Sequence, residues 1–179
     1  MREPVSRLPA LPDPLPPAVE ELFAERAKRG GHVLNVHHTF AHAPKLSMAS
    51  MQMAMALRYE TATPRLFIEL AIVRAAQIAQ GVYELKQHKP MLLAQGFSQA
   101  KFDALEGWRG SPLFDDKERA VLAFADEMAD RGNVTDTTFA QLGRFFTPQQ
   151  IMELTFAFGT YYGTALIMNA MRIKLEADQ

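Results

Sequence analysis

The sequence predicts an all-α protein, a single-domain helical bundle of about nine helices. Three observations carry that expectation. No run among the 179 residues alternates in period two with turn residues on both sides, so no sheet is expected. Helix start and stop signals recur from residue 18 onward. Two segments, 64–80 and 154–171, are apolar nearly all round, as central or interface helices are.

The elements follow in order. Residues 1–17 form a proline-rich N-terminal arm, because Pro4, Pro9, Pro12, Pro14, Pro16 and Pro17 fix φ and remove donors. The arm also carries Leu8, Leu11 and Leu15. It reads either as a frayed end or as an extended strap whose leucines lie on a neighbouring subunit. Residues 18–179 are expected to form the helical domain. A helix over 18–28 stops at Gly30 and Gly31, and a short histidine-rich one over 32–43 is closed by Pro44. Residues 45–59 place Leu46, Met51, Met55 and Tyr59 near one face. Thr63 is the expected N-cap and Pro64 the first position of a helix that runs to Gln80 and stops at Gly81. The next spans 83–95, bent or restarted near Pro90. Ser98 caps a helix to Leu105, and Asp115 to Glu118 place acid in the first turn of one that ends at Arg131 and Gly132. Thr135 or Asp136 starts a helix to Phe146. Thr147 and Pro148 start the last, expected to reach about Leu175.

Composition excludes several functions. Lys and Arg total 19 against 20 Asp and Glu, so no basic field exists to hold a phosphate backbone, and no nucleic acid partner is expected. Cysteine is absent, which removes disulfides, thiolate metal sites and thiol redox cycling. Met1 is followed by Arg2, Glu3 and Pro4 rather than by a basic patch and an apolar run, and a cytoplasmic location is the expectation. Residues 154–171 carry no charge, but Thr155, Gly159, Thr160, Thr164 and Asn169 make them too polar for a membrane span. Gly159 and Gly163 allow close helix approach, within the subunit or between subunits.

Glu69 is the most informative residue. It sits mid-helix among Ile68, Leu70, Ile72 and Val73, where a carboxylate loses hydration unless a cation or donors compensate. Arg65, four residues earlier, shares its face. The arrangement reads as a buried Glu–Arg pair or as a carboxyl placed for proton transfer. Glu84 and His88 are four apart on the following helix and can meet, which suits acid–base work as well as a surface pair. Glu69, Glu84 and His88 together offer three divalent-metal ligands, but no second shell is legible, and neither a metal nor a cofactor is expected. His38 and His42 have the spacing of a metal pair, yet no Glu stands at position 39, so the zinc-protease motif fails. His32 and His37 read as cap or core residues. Met48, Met51 and Met55 form a packing stripe or a soft pocket wall. Trp108, between Gly107 and Gly110, is a lid or a plug.

Four segments in order resemble the carboxymuconolactone decarboxylase family, which includes the alkylhydroperoxidase D-like proteins. They are NVHHTFAHAP from Asn35, PRLFIELAIVRAA from Pro64, YELKQHKP from Tyr83 and LIMNAMRIKL from Leu166. The resemblance covers about residues 33–175 and implies an all-α fold of the alkylhydroperoxidase D-like type, built on an antiparallel helix pair, and a homo-oligomer, with a trimer or hexamer favoured over a dimer. In the peroxidase branch a Glu on the central helix precedes a C-x-x-C motif and a His four residues later. Here the Glu matches Glu69 and the His matches His88, while the cysteine positions fall on Gly81 and Glu84. The resemblance therefore implies the cysteine-free, decarboxylase-like branch, without thiol peroxidase activity, with Glu69, His88, Glu84 and Tyr83 as site residues.

The chemistry implied is acid–base decarboxylation or isomerisation of a small lactone or unsaturated carboxylic acid. Loss of CO2 pushes electrons into a conjugated carbonyl, so the enzyme must stabilise an enolate oxygen and deliver a proton to carbon. A small-molecule substrate and a second copy of the chain are the expected partners; a membrane is not. The alternative reading is a non-catalytic helical oligomer that binds a small hydrophobic ligand. Simple hairpin geometry opposes a Glu69–His88 contact: Glu69 lies twelve residues before Gly81 and His88 seven after, a mismatch of about 8 Å. A kink, a splayed crossing, a bridging substrate or another subunit's histidine must close it.

Overall fold

The computed structural model describes residues 5–28 and 30–176. The first four and last three positions of the expected arm and domain lie outside the described residues, as does Arg29. Among the described residues there are nine α-helices, one 3-10 turn and no strand. No helix among them is long and apolar enough to cross a membrane. The chain forms two compact units: residues up to Ala56 with those from Ile167, and residues Leu57–Leu166.

The first unit contains α1 (Pro17–Lys28), α2 (Asn35–Phe40) and most of α3 (Pro44–Tyr59). The Pro16 carbonyl accepts from the Val19 and Glu20 amides and starts α1. Leu11 and Leu15 pack beside Val19, Leu22, Ala41, Met48 and Met51. These two arm leucines thus cover their own chain rather than fray. The arm is tied down by Arg7 N donating to Met171 O at 2.8 Å and Lys174 N donating to Val5 O at 2.9 Å. His42 Nε2 lies 3.1 Å from Pro9 O, and His38 meets Phe23 edge-on at 5.1 Å. His37 Nδ1 accepts from the Leu34 amide at 2.8 Å, capping α2.

The second unit holds α4 (Arg65–Ile78), α5 (Val82–Ala94), α6 (Gln99–Ala104), the 3-10 turn Trp108–Gly110, α7 (Asp116–Arg131), α8 (Asp136–Gly143) and most of α9 (Pro148–Met171). Helix α4 is central and packs against α5 and α7. Nine of its fourteen residues are buried, because its sequence offers no polar face to solvent. Ile68, Leu70, Ile72 and Val73 are fully buried, each contributing about 1.5–3 kcal/mol. Arg74 Nε reaches Asp126 Oδ1 at 2.6 Å and joins α4 to α7. Trp108 is buried and donates from Nε1 to Asp126 Oδ2 at 3.1 Å, so it is a plug. Ser98 and Thr135 cap α6 and α8, and Asp115 with Glu118 forms a capping box on α7.

Several boundaries differ from expectation for identifiable reasons. Thr63 does not cap α4; Pro64 stands at the cap, and the Thr63 hydroxyl donates to Glu153 Oε2 at 2.6 Å. Glu153 also accepts from the Ala62 and Thr63 amides, so α9 clamps the loop that delivers Arg65. Helix α5 runs through Pro90 without restarting. Helix α4 ends at Ile78, two residues early, with Gln80 in the left-handed region at φ 53°. Gly81 N donates to Ala76 O and Gln80 N to Gln77 O, a Schellman closure on a non-glycine residue. Arg172 at φ 50° ends α9 in the same way, with Ile173 N donating to Met168 O. This helix therefore stops short of Leu175. Among the described residues, a Cβ built on Gly159 or on Gly163 meets nothing within 4 Å.

Candidate acid–base site

The site is built at the α4–α5 pair. Glu69 sits in the middle of α4 with no exposed surface, surrounded by the core residues that make α4 central. Its two carboxylate oxygens have different partners. Oε1 accepts from Arg65 NH2, one turn earlier on the same face. Oε2 lies 2.8 Å from His88 Nδ1 on α5. Both carboxylate oxygens are thus engaged, and Arg65 NH1 also donates to Leu57 O at 3.1 Å.

His88 is 7% exposed and has a partner on each ring nitrogen. Arginine offers only donors, so Glu69 Oε1 accepts from Arg65, and Oε2 shares one hydrogen with His88 Nδ1. Nε2 faces Glu84 Oε2 at 3.4 Å, one turn earlier on α5. Tyr161 from α9 meets the imidazole edge to face, ring centroids 4.8 Å apart. Burial pushes the Glu84 carboxyl above the usual carboxylate range; His88 pulls it back and Glu69 adds to the rise. Burial, then the charges of Glu84 and Glu69, also push the Tyr161 phenol up, and Arg65 and Arg58 only partly oppose this.

Of the four residues singled out from the sequence, the structure brings Glu69, His88 and Glu84 together within one subunit. Tyr83 is buried on α5 beside Glu84, a step of about 100° round the helix. The expected hairpin mismatch shrinks because α4 ends at Ile78 and α5 begins at Val82. From those ends the residues differ by three positions, about 4.5 Å of axis, which two long side chains leaning together cover. Tyr161 is the site residue that sequence reasoning missed. Its one signal is a phenol in a helix stretch without charge. Among the described residues, no group of three or more His, Asp or Glu side chains is arranged to hold a metal ion.

Chemically, a carboxylate that fixes one ring nitrogen of a histidine leaves the other free to take or give a proton. The second carboxyl, at that free edge, stands where the peroxidase-like pattern has its second cysteine.

The comparisons agree with this architecture. Residues 44–127 match the model of the Carboxymuconolactone decarboxylase family. A peroxidase-related protein from Silicibacter sp. TM1040 superposes with a TM-score of 0.81 at 23% identity, covering 99% of this chain and 94% of that one. The alkylhydroperoxidase AhpD core protein from Ralstonia eutropha JMP134 gives 0.78 at 20% identity, with 99% and 95% covered. The debrominase Bmp8, solved with 2,3,4-tribromopyrrole, gives 0.76 at 18% identity, with 99% and 94% covered. No curated protein matches the chain by sequence. Residues 44–127 are thus similar to the carboxymuconolactone decarboxylase family, and the chain, which carries no cysteine, has the helical fold of the alkylhydroperoxidase D-like structures.

Proposed function

We propose that this protein is an acid–base enzyme that decarboxylates or isomerises a small unsaturated lactone or carboxylic acid. The observation that carries the reading is the buried contact of His88 Nδ1 with Glu69 Oε2 at 2.8 Å, with Arg65 on the other carboxylate oxygen. Arg65 orients Glu69, Glu69 orients His88, and His88 Nε2 exchanges the proton. That relay needs no thiol, and the chain has none. The debrominase neighbour, solved with a small unsaturated ring, lends support to a ligand of that size. The test is turnover of a panel of carboxylated and uncarboxylated unsaturated lactones by the unmodified chain, His88→Gln and Glu69→Gln. Each variant should lose about 100-fold or more in kcat. Two folded, fully active variants would end the reading.

The same reading includes self-association through α9. Met152, Phe156 and Leu166 are 56%, 49% and 48% exposed, and the open glycines 159 and 163 lie between the last two. Their spacing follows one helix face, on which a second copy can seat its own aromatic ring against bare backbone. Light scattering should give more than the mass of one chain, and Phe156→Glu with Leu166→Glu should return it to one.

A further inference from the structure

The Nε2 edge of His88 is the one part of the cluster where two proton-carrying groups stand side by side. Nδ1 is committed to Glu69, and the Tyr161 ring packs edge to face against the imidazole. What remains is the edge that faces the Glu84 carboxyl at 3.4 Å. A reactant that reaches His88 therefore meets Glu84 as well. Charge counting then limits the protonation states. Glu69, Glu84 and His88 are 0%, 3% and 7% exposed, and one guanidinium, Arg65, contacts them directly. With both carboxylates ionised and a neutral imidazole, the cluster would hold an unbalanced buried negative charge. One proton shared by Glu84 and His88 cancels it.

From this, and resting on the acid–base reading above, we propose that Glu84 and His88 are the donor and acceptor of a 1,3-proton shift, so that the substrate is a β,γ-unsaturated lactone or acid converted to its conjugated isomer. In the first step neutral His88 Nε2 takes a proton from the carbon between the double bond and the carbonyl. The C–H bond breaks and its electron pair moves into the conjugated enolate. In the second step the Glu84 O–H bond breaks, and its proton forms the new C–H bond at the γ carbon. The imidazolium then returns its proton to the Glu84 carboxylate across the 3.4 Å gap. Atoms and charges balance, with no oxidant, reductant or water consumed. Loss of CO2 at the same site would instead consume the proton given by Glu84, which solvent would have to replace at every turnover, whereas isomerisation returns a proton to Glu84 within the buried pair. The arrangement suits isomerisation better for that reason.

The groups that act on Glu84 come from three helices: His88 against it on its own helix, Glu69 with Arg65 behind it on α4 through charge, and Tyr161 on α9, which packs on His88. Two measurements test the proposal. The first is a carboxyl-carbon NMR titration of Glu84 in the full chain, which needs no substrate. Glu84 should titrate above the ordinary glutamate range. It should move up in His88→Gln, which removes the group that lowers it, and down in Glu69→Gln, which removes a charge that raises it. An ordinary titration, unmoved by His88→Gln, overturns the shared proton. The second is conversion of α-angelica lactone and related β,γ-unsaturated lactones and acids to their conjugated isomers, followed by ultraviolet absorbance. The unmodified chain should isomerise them, and Glu84→Gln should lose about 100-fold or more. No isomerisation by the unmodified chain, or full isomerisation by Glu84→Gln, overturns the proposal. CO2 release from a carboxylated lactone without isomerisation would overturn it too, while leaving the Glu69–His88 reading intact. If Glu84→Gln fails to fold, the titration of the unmodified chain decides.

Discussion

Gly81 and Ala165 approach so closely that a Cβ on Gly81 would stand 2.9 Å from the Cβ of Ala165. The turn between α4 and α5 thus rests directly on α9, and Gly81 is there for lack of a side chain. Its φ of −83° needs no glycine. Gly81→Ala should destabilise the chain by about 1–3 kcal/mol, because Ala165 is fully buried and cannot yield. Adding Ala165→Gly should recover part of the loss. Urea unfolding midpoints of the single and double variants check this, and a neutral single variant would refute the close approach.

Arg65 contacts a carboxylate that has no exposed surface. Arg65→Met leaves Glu69 buried with His88 alone opposite it, at a cost of about 3 kcal/mol. Replacing Glu69 by Gln in the same chain removes the stranded charge. The double variant Arg65→Met with Glu69→Gln should therefore be more stable than Arg65→Met. Chemical denaturation at neutral pH measures both, and a double variant that unfolds more easily would contradict the pairing.

The cysteine positions of the peroxidase-like pattern carry Gly81 and Glu84, and no cysteine stands elsewhere in the chain. Peroxide consumption coupled to a dithiol reductant should stay at the no-enzyme blank, because no sulfur is present to form a sulfenic acid. Turnover above the blank in metal-free protein would refute this.

The helices were legible because their signals are local. Ser98, Asp115, Thr135 and Pro148 each mark a helix start or its cap, whereas Pro44, read as a stop, is the first residue of α3; the apolar run around Glu69 marks the central helix. The ends of α4 and α9 were not legible. Both close through a left-handed residue that is not glycine, Gln80 and Arg172, and sequence rules look for glycine there. Misplacing the α4 end by two residues inflated the Glu69–His88 mismatch and hid a direct contact. Thr63 misled for a similar reason: its hydroxyl answers Glu153, ninety residues away, rather than its own helix. Glu69, Glu84 and His88 could be named from burial and spacing. Tyr161 could not, since its place against His88 depends on how α9 packs.

His37 should make the protein sensitive to acid. Its Nδ1 accepts a hydrogen bond from the Leu34 amide at 2.8 Å, which an imidazolium cannot do. Burial, with smaller contributions from the charges of Arg26 and His38, lowers its pKa from 6.5 to about 3. Between those values the unfolded chain binds a proton at this position and the folded chain does not. The stabilisation is therefore fully present above about pH 6.5 and is lost as pH falls toward about 3. By pH 5 the loss from this residue should be on the order of 1–2 kcal/mol. His37→Asn keeps an acceptor for the Leu34 amide and removes the titration. Asp126 and Glu153, whose carboxyls their hydrogen-bond donors hold below the usual range against the opposing effect of burial, also lose stabilisation in acid. They do so equally in both proteins, so the difference between the two isolates His37. Urea midpoints at pH 7 and pH 5 should fall further for the unmodified chain than for His37→Asn. Equal falls would show that His37 titrates alike in the folded and unfolded chain, and that its bond to Leu34 does not depend on a neutral ring.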